Sequence, residues 1–211
     1  MSTRVTRIDV IRHGEPEGGE VFRGHTDHLL TERGKRQFLQ RMARHERDYD
    51  HVISSPLQRC AWSASDFAGE RALTHEIDQR WAEIHYGDWE NRLIADVMQA
   101  ETEVVQQLWQ DPLNFCAPNG ESVPELQQRV ISAWNAMLDG NLGAHLLLVC
   151  HGGVMRVLAQ HLLGLAPEAM SRLAIPYAGL MRFRVDEVSD GQRYVTLETL
   201  DGEDLCQGES D

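Results

Sequence analysis

Long apolar runs and paired cysteines are both missing from this sequence of 211 residues. No apolar stretch approaches the roughly 18 residues that a membrane-spanning helix needs, and the start, Met1-Ser-Thr-Arg, does not resemble a signal peptide. The four cysteines, at positions 60, 116, 150 and 206, stand singly, without the CxxC spacing typical of metal and redox sites. We therefore expect a cytoplasmic protein whose thiols are reduced.

Positive charge is also scarce. The chain has 20 Lys and Arg residues against 33 Asp and Glu residues, which gives a formal net charge of −13. This balance argues against a protein that coats nucleic acid or an anionic membrane. It also means that any anion site must be locally positive, so each arginine in such a site counts for more. We expect no nucleic-acid or membrane partner.

The apolar pattern alternates between strands and helices. We predict strands at residues 5–12, 51–54, 73–77 and 145–150, and a closing hairpin over 179–188 and 193–200. Helices are predicted at 31–45 behind the N-cap Thr31, from the N-cap Ser55 with Pro56 at the first position, at 92–109, at 122–138 behind a Ser122–Glu125 capping box, and at 154–163. This order predicts a three-layer α/β/α fold with a mostly parallel central sheet.

The chain length and composition favour a single domain over residues 1–200. The acidic residues 201–211 are predicted to form a disordered tail. The hairpin edge could pair with a second copy, so a monomer and a homodimer both stay open.

Three groups of residues are predicted to meet at one edge of the sheet. Arg12 and His13 end the first strand, Arg59 lies in the first turn of the helix after the second strand, and His151 follows the strand at 145–150. Parallel strands end on a common ligand-binding edge. A guanidinium binds phosphate oxygens with a planar fork of donors, and an imidazole with one free ring nitrogen is a nucleophile near neutral pH. A zinc site is the alternative, but it would want a third histidine or a carboxylate and no neighbouring arginine.

Five short blocks then extend this pattern: Arg-His-Gly-Glu at 12–15, Ser-Ser-Pro-Leu-Gln-Arg at 54–59, Glu83 with Tyr-Gly-Asp-Trp-Glu at 86–90, Asn-Gly-Glu-Ser at 119–122 and Val-Cys-His-Gly-Gly at 149–153. In this order, over roughly residues 5–165, they resemble the histidine phosphatase superfamily, also called phosphoglycerate mutase-like. The Glu83 block, the helix after it and the block at 119–122 most resemble the α-ribazole phosphatases of cobalamin nucleotide-loop assembly. The resemblance implies a phosphoglycerate mutase-like fold.

The resemblance also implies an enzyme that hydrolyses a small phosphorylated metabolite without metal or cofactor. His13 matches the nucleophile, Glu83 matches the general acid, and Arg12, Arg59 and His151 match the pocket that neutralises the phosphoryl oxygens. These five are the expected catalytic residues. The expected substrate-binding residues are Arg12, Arg59, His151, Gly152, Arg23, Gly24 and Tyr86. Asp78 and Glu90 are rival carboxylates for the acid.

The chain departs from the family pattern after the first block. Pro16 and Gly19 stand where members often carry Thr or Ser and an Asn, so one phosphate-contacting side chain is missing. Arg23, Gly24 or His25 in the loop that follows are candidates to replace it.

Three other functions stay open. A cofactor-dependent phosphoglycerate mutase is the nearest, but mutases place a basic residue directly after the acid, where this chain has Ile84, and between Glu90 and Gly120 the only basic residue is Arg92. A broad-specificity sugar phosphatase is the second. The third is a catalytically silent phosphate-binding regulatory protein, which would be expected to lack the nucleophile or the acid.

Overall fold

A computed structural model describes residues 4–203, with the exception of the Trp109 side chain. Its centre is a six-stranded sheet in the order β3-β2-β4-β1-β5-β6. The strands are β1 (Arg4–Arg12), β2 (His51–Ser54), β3 (Thr74–Ile77), β4 (His145–Cys150), β5 (Leu180–Glu187) and β6 (Arg193–Asp201). Strands β1 to β4 run parallel, and β5 and β6 form an antiparallel hairpin at one edge. The predicted fold class is confirmed.

Helices cover both faces of this sheet. They are α1 (Glu32–Arg44), α2 (Gln58–Glu70), α3 (Ile94–Ala100), α4 (Thr102–Gln110), α5 (Val123–Gly140) and α6 (Gly152–Leu162). Single 3-10 turns occur at Gln79–Trp81, Gly87–Trp89 and Pro112–Asn114, and a longer one at Pro167–Arg172. None of the helices within residues 4–203 is long and apolar enough to cross a membrane.

The central strand β4 shows why the fold has three layers. Leu147 and Val149 pack with α1 and α2 on one face, whereas Leu146 and Leu148 pack with α5 and α6 on the other. All four side chains are fully buried. A parallel strand with helices on both faces must be apolar on both, which is the continuous pattern at 145–150.

Two of the predicted caps are confirmed. The Thr31 hydroxyl accepts a hydrogen bond from the Gly34 N–H at 2.9 Å and begins α1. Ser122 and Glu125 form the reciprocal capping box that begins α5. Each cap satisfies backbone donors that a helix start leaves without partners.

The predicted start of α2 is wrong. Leu57, not Ser55, is the N-cap residue, and α2 begins at Gln58. The Ser55 hydroxyl lies 2.7 Å from His151 Nε2 and accepts the N–H of Leu57 at 3.2 Å, the residue before the first helical position. The carboxylate of Asp27, from a distant loop, instead accepts the Gln58 N–H at 2.7 Å. Arg59 still lies in the first turn.

Two other helices also differ from prediction. The single helix predicted at 92–109 is two helices, α3 and α4, which meet at Glu101. The Glu101 carboxylate accepts hydrogen bonds from the side chains of Trp89 at 2.8 Å and Arg92 at 2.9 Å. Helix α6 begins at Gly152, so both glycines that were predicted to form a turn lie in its first turn.

Strand β6 extends one residue past the predicted boundary of the acidic tail. It ends at Asp201, whose carboxylate pairs with Arg41 of α1 and with His45, the residue directly after that helix. Residues 204–211, the remainder of the predicted tail, lie outside the described residues. The extent of a single domain stays a prediction.

Candidate active site

His13 lies directly after β1, at the carboxyl edge of the sheet, and is 4% exposed. Its Nδ1 lies 2.7 Å from the Gly14 carbonyl oxygen. A carbonyl can only accept, so Nδ1 carries the proton and Nε2 keeps its lone pair. Burial, with repulsion from Arg59 and Arg12, lowers the pKa of His13 well below its usual range. The ring is therefore a neutral base with one free nitrogen.

Two guanidinium groups, the partly buried one of Arg12 and the buried one of Arg59, flank this histidine. Arg12 donates from Nη1 to the Ile175 carbonyl at 2.7 Å and lies over the Tyr177 ring, 4.2 Å from its centroid. Arg59, 1% exposed, donates to the carbonyls of Thr26 at 2.9 Å and Gly24 at 2.7 Å. The Nε of each arginine is buried and has no hydrogen-bond partner among the described residues. Buried unpaired donors are costly, so both groups are suited to binding an anion.

His151, from the end of β4, lies beside His13. The two ring centroids are 5.2 Å apart, and His151 is fully buried. Burial, with repulsion from Arg59 and then from His13, lowers the pKa of His151 well below its usual range. Its Nε2 lies 2.7 Å from Ser55 Oγ and 3.6 Å from the thiol of Cys60. Burial raises the pKa of that thiol, so Cys60 stays protonated.

Glu83 supplies the carboxyl group of the site. Its Oε2 accepts the N–H of Gly153 at 3.1 Å, and its Oε1 accepts the N–H of Ile84 at 3.0 Å. A side chain on Gly153 would collide with it, because a Cβ built there lies only 2.3 Å from Oε1. The first turn of α6 therefore approaches Glu83 at a distance that only glycine allows.

The rival carboxylates have other partners. Asp78 pairs with Arg80 at 2.6 Å and accepts that residue's backbone N–H. Glu90 joins two loops: its Oε1 accepts the N–H groups of His25 at 2.8 Å and Tyr86 at 2.9 Å, and its Oε2 accepts from the N–H and hydroxyl of Thr26. Thus Glu90 holds the loop whose carbonyls bind Arg59. Of the three candidate carboxylates, Glu83 is the one that lines the same cavity as His13.

A cavity of about 390 Å³ opens onto these groups. Arg12, His13, Glu83 and Gly152 line it, whereas Arg59 and His151 are not among its lining residues and are buried more deeply. The predicted catalytic residues thus form one cluster around His13. Among the described residues, no group of three or more His, Cys, Asp or Glu side chains could hold a metal ion.

The predicted substrate-binding residues divide into two groups. Arg23 and Tyr86 line the cavity directly. Gly24 does not: its carbonyl accepts from Arg59, and a Cβ there would lie 2.1 Å from the Ile84 carbonyl oxygen. Of the candidates for the missing phosphate contact, Arg23 is therefore the one at the cavity wall. His25 is turned toward the backbone, with Nε2 2.9 Å from the Glu83 carbonyl oxygen.

The cavity wall also contains residues that were not predicted as site residues, among them Arg156 and Tyr177. Arg156 lies on α6, one helical turn after Gly152, and its Nε donates to the Leu173 carbonyl at 3.1 Å. The four-residue spacing from Gly152 places both on the same helix face, which is a signal that the sequence does contain. Tyr177 precedes β5 and contacts Arg12 and His13, and no local motif marks it.

Comparison with known proteins shows which family the chain belongs to. Residues 8–198 match the family model described as "Histidine phosphatase superfamily (branch 1)". A curated relative, "Probable phosphoglycerate mutase GpmB" of Yersinia pestis, is 32% identical over 184 residues, which cover 86% of each chain.

Solved structures share the fold over nearly the whole chain. "Bacillus stearothermophilus YhfR" superposes with a TM-score of 0.82 at 25% identity, over 92% of this chain and 96% of that one. A "putative alpha-ribazole-5'-P phosphatase" of Escherichia coli superposes with a TM-score of 0.76 at 28% identity, over 92% of this chain and 95% of that one.

Proposed function

The chain belongs to the histidine phosphatase superfamily, and on that premise we propose that it hydrolyses a small phosphomonoester through a phosphohistidine intermediate. The observation that carries this proposal is the state of His13: a neutral ring, its Nδ1 proton held by the Gly14 carbonyl, and a free Nε2 between two arginines with unpaired donors. A phosphoryl transition state spreads negative charge over three equatorial oxygens, which such donors stabilise.

The first half of the reaction transfers the phosphoryl group to the enzyme. His13 Nε2 attacks phosphorus, the P–N bond forms and the bond to the leaving oxygen breaks. The protonated Glu83 gives its proton to that oxygen, so the product leaves as an alcohol. Arg12, Arg59 and His151 bind the phosphoryl oxygens.

The second half returns the enzyme to its starting state. The Glu83 carboxylate takes a proton from a water molecule as the water oxygen attacks phosphorus. The P–N bond breaks, its electron pair returns to His13 Nε2, and inorganic phosphate leaves. Atoms and protons balance without a metal or cofactor, because the side chains provide the positive charge.

Within this class we propose α-ribazole 5′-phosphate as the substrate, hydrolysed to α-ribazole. The support is the similarity to the E. coli protein and the motif pattern around Glu83. The proposed partner is thus a small metabolite, and a role in cobalamin biosynthesis, the cytoplasmic location and the monomeric or dimeric state stay predictions.

A phosphoglycerate mutase is the second candidate, favoured by the 32% identity to the Yersinia protein. Two residues count against it. Ile84, at the position where mutases have a basic residue, is 3% exposed and packs in the core. Arg92 pairs with Glu101 at 2.9 Å and does not line the cavity. Neither of these two positions therefore supplies a cation that could hold a phosphorylated intermediate for return transfer.

The first experiment traps the intermediate. Purified protein is mixed with ³²P-labelled substrate in EDTA and quenched in alkali, where phosphohistidine survives and acyl phosphate does not. We expect an acid-labile label in the wild type and none in His13→Ala. His161→Ala, at an exposed histidine in the last turn of α6, is the matched control and should keep the label. Equal labelling of His13→Ala and wild type would refute the nucleophile.

The second experiment identifies the leaving group. Values of kcat/KM are compared for α-ribazole 5′-phosphate, phosphoglycerates, fructose bisphosphates and p-nitrophenyl phosphate. Conversion of 3-phosphoglycerate to 2-phosphoglycerate, faster than release of phosphate, would favour the mutase. No turnover of any ester would favour a silent phosphate-binding protein.

A further inference from the structure

A second cavity lies beside the first. Its volume is about 160 Å³, and seven of its eleven lining residues are apolar. The apolar lining residues are Ile84, Leu108, Pro112, Val123, Leu126, Val157 and Met170. Five of them, Ile84, Val123, Leu126, Val157 and Met170, are at most 5% exposed. None of the proposed catalytic side chains lines this cavity, so the proposed mechanism leaves it without a role.

The two cavities share part of their walls. Tyr86, Gly153 and Arg156 line both. Gly153 is the residue whose N–H binds Glu83, and Glu83 is the proposed donor of a proton to the leaving oxygen. An alcohol leaving phosphorus on the Glu83 side is thus directed toward the shared wall and the second cavity. Arg156, held by the Leu173 carbonyl, is the charged side chain of that wall.

We propose that the second cavity is the leaving-group subsite and that it binds an apolar ring of the substrate's alcohol. This rests on the proposed phosphatase function. The volume of the cavity is sufficient for one aromatic ring, because an engineered apolar cavity of about 150 Å³ in another protein binds benzene. The substrate class is therefore a phosphomonoester whose alcohol carries an aromatic ring. Esters of small polar alcohols, such as phosphoglycerates, would leave the cavity unfilled.

The test compares esters that differ only in the ring. We would measure kcat/KM for 2-phenylethyl and 3-phenylpropyl phosphate against ethyl and propyl phosphate, pairs whose leaving groups have similar basicity. Burial of one ring in an apolar pocket should give a preference of about 10- to 100-fold for at least one phenyl ester. A preference below threefold for both overturns the proposal.

A cavity-filling variant tests whether the preference for phenyl esters arises in the second cavity. Leu108 is partly exposed on α4, so Leu108→Trp can place its larger ring in the cavity without disturbing a fully buried position. We expect it to reduce the phenyl-to-alkyl ratio about tenfold. Leu39→Trp, at a leucine of α1 that is 54% exposed, is the matched control and should keep the ratio. An unchanged ratio in Leu108→Trp overturns the proposal.

A binding measurement is independent of turnover. In protein labelled with ¹³C-methyl methionine, benzyl alcohol should shift the Met170 signal, and Leu108→Trp should remove that shift. If no ester is hydrolysed, the phosphatase function itself is refuted. A Met170 shift then still supports a ring-binding cavity, whereas an unmoved signal overturns it.

Discussion

Replacement of Glu90 by Gln is expected to loosen the loop that binds Arg59. The carboxylate accepts four hydrogen bonds, two at each oxygen. An amide keeps one accepting oxygen, and its NH₂ group can only donate, so the Thr26 N–H loses its acceptor, whereas the Thr26 hydroxyl can turn and accept from the amide. An unsatisfied buried donor costs about 1–3 kcal/mol. Because Glu90 is only partly buried, we expect a loss of about 2 kcal/mol in total, which lowers Tm by about 4–8 °C for a chain of this size.

The same variant should change the pH dependence of stability. Burial favours the protonated form of Glu90, but hydrogen bonds from Thr26 and from backbone N–H groups outweigh it and lower the pKa of the carboxyl. An unfolded Glu titrates near pH ~4.3. The stabilisation is therefore fully present above that pH and is lost as the pH falls through the lower, folded value. The difference between wild type and Glu90→Gln should be largest at pH 7 and shrink in acid.

Urea denaturation at pH 7 and pH 4, together with kcat/KM, measures both effects. We expect kcat/KM to fall about 10- to 100-fold, because the carbonyls that position Arg59 belong to the loosened loop. Glu46→Gln, at an exposed glutamate, is the matched control and should change neither quantity. A stability loss under about 0.5 kcal/mol with normal turnover in Glu90→Gln would refute the reasoning.

Three further predictions concern the site and its frame. Gly153→Ala places a Cβ 2.3 Å from the present position of Glu83 Oε1, so the Glu83 carboxyl must move. We expect kcat/KM to fall about tenfold or more for alkyl esters and less for p-nitrophenyl phosphate. Equal losses on both substrates would contradict the role of Glu83 as the acid. Asp27→Ala removes the carboxylate that caps α2 and should cost about 1 kcal/mol in urea denaturation; no change would show that the cap is unimportant. Burial and nearby arginines lower the pKa values of His13 and His151. The folded protein should therefore lose stability as the pH falls from about 6.5 toward 5, by up to about 1.4 kcal/mol per pH unit for each histidine. A free energy of unfolding that does not change over that range would contradict buried, neutral rings.

The local pattern of apolar residues was sufficient to predict the three layers of the fold. The apolar run at 145–150 implies a strand covered on both faces, and β4 is that strand. Caps made within three residues, as at Thr31 and Ser122, were predictable because donor and acceptor are close in sequence. The meeting of His13 and His151 also followed from topology, since β1 and β4 are parallel neighbours whose carboxyl ends coincide.

Contacts between segments that are distant in sequence determined the features that the sequence did not predict. The Gln58 N–H at the start of α2 is bound by Asp27 from a distant loop, and the Ser55 hydroxyl binds the Leu57 N–H and lies against His151, so the local capping rule fails there. Arg156 enters the site only because α6 packs beside both cavities.

The sequence by itself determined the order of the strands, the family and the meeting of Arg12, His13, Arg59 and His151, because these follow from side-chain periodicity, topology and short motifs. Only the tertiary structure decided which carboxylate stands beside His13, which loop holds Arg59 and how much apolar space adjoins the phosphate site. Each of these depends on contacts between side chains and backbone groups that are far apart in sequence, and such contacts form only when the chain has folded.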